Sequence, residues 1–206
     1  MPADIDSPDK HSELTERLDE TEALALKILA TQPENPDALN GLGLIHVQQE
    51  QFDKAIELFD RAHKIDPDRG DFTDNLIQAF ESAAQTMTHA ARYSAAIKTL
   101  ERALVMRPGD VSLTCRMSFV LSAAKRNGEA LAAADRALSK NSESAQAHDV
   151  RGLALLGLGQ IEHAITSFRT ALDYDLKYAP AFSNLGLAYR AQGEPRGTTC
   201  TTASSI

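Results

Sequence analysis

The chain has 206 residues, of which 43% are apolar, 24% charged and 5% aromatic, with no Trp. That is enough apolar material for a packed core, which excludes disorder along the whole length. The net charge of −8 is uneven: residues 1–40 hold ten acids and three bases, and the rest is near neutral. No Lys/Arg stripe is present, so the electrostatic term that dominates nucleic-acid affinity is missing. The longest uncharged apolar stretch, residues 152–159, is far shorter than the ~20 residues a spanning helix needs. The N-terminus MPADIDSPDK lacks the basic-then-apolar order of a secretory signal. Cys115 and Cys200 stand 85 positions apart and form neither a metal nor a redox spacing. These features point to a cytoplasmic protein with neither nucleic-acid nor membrane partners.

Taken in chain order, residues 1–11 are acidic, without apolar periodicity, and are expected to be disordered. The segment 12–35 reads as half a repeat: Leu18 to Leu29 has the look of a second helix whose preceding partner is missing. In the repeat 36–69, a first helix opening at Pro36 presents Leu39, Leu42, Gly43 and His46. Its second helix presents Phe52, Ala55, Phe59 and Ala62 and closes at Pro67. The repeat 70–110 gives Leu76 and Phe80, then Tyr93, Ala96, Leu100, Ala103 and Pro108. It has seven extra residues between Phe80 and Tyr93, without Gly or Pro. That composition predicts longer helices rather than a loop, by roughly 10 Å at 1.5 Å per residue. The repeat 111–144 is weaker, with Met117, Leu121, Ala130, Ala134 and Ala137. Ala134 stands where other units have Phe59, Leu100 or Phe168, which predicts locally tighter helix packing.

The repeat 145–178 returns to pattern with Gly152, Leu155, Gly159, Ile161, Ala164, Phe168 and Ala171. A final half repeat, 179–193, presents Phe182, Leu185, Gly186, Tyr189 and Gly193. There the periodicity stops. Pro195 occupies the place of an aromatic, and 194–206 reads as a disordered low-complexity tail. The abruptness suggests a truncated array, and the half-covered Leu185/Tyr189 face suggests self-association.

Apolar residues recurring at i, i+3 or i+4 and i+7 are helical, and Asp66-Pro67 and Arg107-Pro108 end helices. The alanines Ala55, Ala96, Ala130 and Ala164 are separated by 41, 34 and 34 residues. A period of 34 with this order of large and small residues resembles the tetratricopeptide repeat family over residues 16–193. The resemblance implies an all-α, right-handed superhelical solenoid of antiparallel helix pairs, occupying 12–193. It also implies a concave groove lined by the first helix of each pair.

Transferring the family's groove positions gives Asp37, Asn40, Leu44 and Val47 on one helix and Asp71, Asp74, Gln78 and Glu81 on the next. Then come Ser112, Cys115, Phe119 and Ser122, followed by Gln146, Asp149, Leu153 and Leu156. Pro180, Ser183, Leu187 and Arg190 complete the lining. Such a groove is acidic at its N-terminal end and apolar around Phe119, Leu153 and Leu187. It complements a peptide or protein segment with basic residues and an apolar anchor.

Chemistry is sparse. The six histidines are dispersed, with no His-x-x-x-His pair, so no metal or other cofactor is expected. Ser, His and Asp occur without a nucleophile elbow, the glycines lie inside helical repeats rather than between strand and helix, and acid pairs such as Asp19-Glu20 lie on a solvated face. Cys115 reads as a small groove-facing filler. The expected protein is a non-enzymatic interaction scaffold, with the recruiting portion of a larger glycosyl-, sulfo- or methyltransferase as the alternative. Two specialisations of the family fit poorly. A carboxylate clamp would find Asn40, Asn75 and Arg116 but no groove lysine. An asparagine ladder would find Asn75 and Asn184 but Gly41, Arg116 and Val150 elsewhere.

Overall fold

The computed structural model describes residues 8–193, with side chains from residue 16; the tail assigned to 194–206 and most of the acidic segment 1–11 lie outside the described residues. The described residues form ten helices and no strand. They are α1 (Pro8–Thr31), α2 (Pro36–Gln48), α3 (Phe52–Ile65), α4 (Gly70–His89) and α5 (Tyr93–Met106). Then follow α6 (Val111–Ala123), α7 (Asn127–Lys140), α8 (Ala145–Gly157), α9 (Ile161–Tyr174) and α10 (Ala179–Gly193). The all-α fold of helix pairs is the one the period of 34 requires. α1 is a single helix that starts at Pro8, inside the segment expected to lack structure.

Local chemistry sets the helix starts. The side chains of Asn35, Asp110 and Ser144 accept hydrogen bonds from the backbone N–H of Ala38, Leu113 and Ala147, at 2.9, 3.0 and 3.2 Å. Each caps the first helix of a pair, satisfying a donor the helix leaves open. Pro36, whose missing N–H costs nothing there, opens α2.

One turn recurs between first and second helices. Glu50, Ala91, Lys125 and Gly159 stand at the same place in their repeats, and all have positive φ, from 56° to 74°. Behind each, a 6→1 bond closes the preceding helix: Gln51 N–H to His46 O, Arg92 to Met87, Arg126 to Leu121 and Gln160 to Leu155, at 2.7–2.9 Å. This is the Schellman closure, which ordinarily selects glycine. Three of the four turns here impose it on residues with a Cβ, and that is why the sequence concealed it.

The chain divides into two compact units, Met1–Met106 and Arg107–Ile206, whose described parts are α1–α5 and α6–α10. In the first, Leu39, Phe59, Phe72, Leu76, Phe80 and Leu100 are fully buried. The seven extra residues lengthen α4 alone, which has 20 residues where α2, α6 and α8 have 13. In the second, α8, α9 and α10 share a core of Leu155, Ile165, Phe168 and Ala188.

Both units show how small and large residues are matched. The ring of Phe59 lies so close to Gly43 that a Cβ on the glycine would sit 2.5 Å from Cε1, and Phe168 lies against Gly152 in the same way. Where Ala134 replaces the phenylalanine, Ser118 replaces the glycine. Both are fully buried, and Ser118 Oγ donates to the Ala130 carbonyl at 2.8 Å. Volume removed from the second helix is thus partly returned on the first.

Candidate functional site

The first helices α2 and α4 carry the residues assigned to the groove in the first unit. Asn75 Nδ2 donates to Asn40 Oδ1 at 2.8 Å, joining the two helices. Beyond this rung Leu44, Asp71, Asp74 and Gln78 are exposed and Glu81 is half-buried. Arg69, which precedes α4 and is not one of the repeat's groove positions, lies among these acids. Its Nε and Nη2 donate to Asp71 at 2.9 and 2.8 Å, and Nη2 reaches Asp37 at 3.3 Å. The guanidinium also lies 4.2 Å from the centroid of the Phe72 ring. The hydrogen bond to Arg69 holds the Asp71 carboxyl below its ordinary range, so this end of the acidic face is partly neutralised.

In the second unit, four of the expected residues meet. Phe119, Ser122, Leu153 and Leu156 line one open cleft of about 330 Å³, with Ala123, Lys125, Asn127 and Gly157 around them. Phe119 is 48% exposed, a large ring held in water where a core position would bury it. Asn127 Nδ2 donates to the Gly157 carbonyl at 2.8 Å and so ties the start of α7 to the end of α8. Ser122 Oγ is buried without a hydrogen bond, leaving an unused hydroxyl among apolar groups. Further along, Ser183, Leu187 and Arg190 are exposed on α10.

Two residues assigned to the lining do not lie on it. Cys115 is fully buried against Ala134, Ala137, Ala147 and Val150. Burial first, and the nearby Asp110 and Asp149 charges second, push its thiol up to about 12; it is an inert filler. Asp149 is 3% exposed, accepts a 2.9 Å hydrogen bond from Asn184 Nδ2, and is pushed up to about 6 by burial. Burial pushes Tyr178 up to about 12, and the neighbouring Asp149 charge adds to this. The sequence by itself points to no carboxylate in apolar surroundings. Asp74 and Asp149 hold the same place in their repeats, and nothing local tells the exposed one from the buried one.

Among the described residues no group of three or more His, Cys, Asp and Glu could hold a metal ion, and no helix is long and apolar enough to cross a membrane.

Fold and surface together define a helix-pair repeat protein. Models of the tetratricopeptide repeat match residues 34–108, and of the TPR repeat residues 152–193. The chain belongs to the tetratricopeptide repeat family. It is 36% identical over 95 residues to tetratricopeptide repeat protein 33 of Mus musculus, covering 46% of this chain and 36% of that protein. It is 27% identical over 165 residues to tetratricopeptide repeat protein 8 of Caenorhabditis elegans, covering 79% of this chain and 31% of that one. The chain thus spans about a third of the length of these relatives. Among solved structures, YrrB, described as a TPR protein with an unusual peptide-binding site, superposes with a TM-score of 0.60 at 19% identity. That match covers 83% of this chain and 84% of YrrB. At that identity the likeness speaks for the fold.

Proposed function

We propose that this chain is an interaction scaffold that binds a protein partner along its first helices. The second unit offers the Phe119–Leu153–Leu156 cleft to an apolar anchor, and the first unit, taken by itself, offers Asp71, Asp74 and Glu81 to basic residues. The exposed ring of Phe119 over that cleft carries the reading. Lys125 and Asn127 place a few polar groups beside the apolar wall of Phe119, Leu153 and Leu156, the usual composition of a site that fixes a ligand's orientation. Proteins of this family are generally non-enzymatic scaffolds, and the peptide-binding site named for YrrB agrees with a peptide ligand here.

The test is affinity capture from native cell extract with the wild type and with the double variant Asp74→Lys, Phe119→Glu. Both side chains are exposed, so circular dichroism is expected to be unchanged. Partners lost only from the variant support the groove; identical capture by both proteins overturns it. The short share of each relative that the chain covers favours a second reading, in which this array recruits partners for a longer protein, such as a transferase. Intact-mass measurement of the native gene product distinguishes the two.

A further inference from the structure

Among the described residues, no helix covers the outer face of α10. Gly43 and Gly152 hold the same place in their repeats, and each is covered by a phenylalanine of the helix that follows. Gly186 holds that place in α10, and a Cβ there would meet nothing within 4 Å. Phe182, the counterpart of the fully buried Leu39, is 55% exposed, and Tyr189 is 41% exposed. The rim is positive. Arg190 is the only charged residue of α10, and Arg169 Nη2 donates to the Tyr189 hydroxyl at 2.8 Å with its guanidinium 6.0 Å from the ring centroid.

We infer that this face docks an amphipathic helix of a partner protein, acidic overall and carrying the spacing Ala-x-x-x-Phe-x-x-Ala. Phe182, Gly186 and Tyr189 are not among the residues assigned to the groove, and Arg190 borders both surfaces. The internal pairs specify the occupant: in α3 the spacing is Ala55, Phe59, Ala62, and in α9 it is Ala164, Phe168, Ala171, all fully buried. Packing a ring onto a glycine selects a large residue at the centre and small ones a turn to either side. Residues 194–206 lack this spacing. Counted in register, Pro195, Thr198, Thr202 and Ser205 stand at the places of Phe52, Ala55, Phe59 and Ala62. A second copy does not supply it through α1 either, because Ala25 holds the phenylalanine place there and is already buried. A positive rim favours a negative partner.

The probe is a fluorescent synthetic peptide of residues 50–66, EQFDKAIELFDRAHKID, which carries the spacing and a net charge of −2. It is titrated with the full chain by fluorescence anisotropy, while light scattering monitors oligomeric state. Saturable binding below about 100 µM is expected, weakened at least tenfold by Phe59→Ala in the peptide and by Gly186→Leu in the protein. A Cβ at 186 meets nothing within 4 Å, so the melting temperature of this variant is expected to be no lower than that of wild type. Phe182→Glu, on the same exposed face, gives an equivalent loss by a separate route. No binding up to about 1 mM, or binding indifferent to all three changes, overturns the proposal. So does a dimer of the chain that Gly186→Leu dissociates, which would assign the seat to a second copy.

Discussion

Asn184 Nδ2 donates to a buried carboxylate oxygen of Asp149 at 2.9 Å, and the same rung in the first unit is made by two neutral amides, Asn75 and Asn40, at 2.8 Å. One hydrogen bond offsets only part of the cost of burying the charge, so Asp149 titrates at about 6 against an ordinary 3.8. The folded state therefore holds the proton more tightly than the unfolded chain. Its contribution favours folding below about pH 4 and is lost as pH rises through about 6.

The difference corresponds to about 3 kcal/mol. Asp149→Asn, which copies the rung of the first unit, is expected to stabilise the protein at pH 7 by about 1–3 kcal/mol and to flatten the profile between pH 4 and 6. Urea unfolding over a pH series measures both effects. An unchanged slope in that window would exclude Asp149 as its source.

The glycine–phenylalanine contacts predict opposite results for one substitution. Gly152→Ala drives a Cβ into the ring of Phe168 and is expected to cost about 1–3 kcal/mol. Gly186→Ala meets nothing and is expected to gain up to about 1 kcal/mol from helix propensity. Thermal unfolding of the two variants side by side decides this.

At the complementary pair, Ala134→Phe overpacks against Ser118 and is expected to destabilise by about 1–3 kcal/mol. Adding Ser118→Gly clears the seat in the manner of Gly43 and Gly152, although it also removes the hydrogen bond to Ala130. A double-mutant cycle is expected to show favourable coupling of at least about 1 kcal/mol. Additive effects would mean that the two positions are not matched.

Ala91 has φ of 56° in a turn where Gly159 does the same work at 74°. Ala91→Gly relieves the steric cost of the left-handed conformation and is expected to gain about 0.5–1 kcal/mol, while Gly159→Ala loses about as much. Denaturant midpoints at constant m-value measure both.

Cys115, buried and held up to about 12, is expected to resist iodoacetamide at pH 8 in the folded protein and to react on unfolding in urea. Peptide mapping by mass spectrometry follows this residue separately from Cys200. Rapid alkylation under native conditions would contradict its burial.

The helix pairs, their order and the helical character of the seven extra residues were legible in the residues alone, whereas their placement in α4 by itself was not. A helix's apolar stripe is a local pattern, and Ala55, Ala96, Ala130 and Ala164 repeat it at intervals that suit stacked helix pairs. The cleft of the second unit follows from the repeat: Phe119, Ser122, Leu153 and Leu156 meet because their places in the repeat aim them to one side. Whether a side chain at such a place is wet or dry depends on what stands opposite, and that comes from positions 30 or more residues away. Asp74 and Asp149 share a place and differ in burial for this reason. Arg69 joined the acidic face through a bridge to Asp37, 32 residues before it. The left-handed turns at Glu50, Ala91 and Lys125 stayed hidden for a related reason. Closing one helix and starting the next imposes a backbone conformation that those side chains do not favour, and packing of the helix pair overrides the local preference.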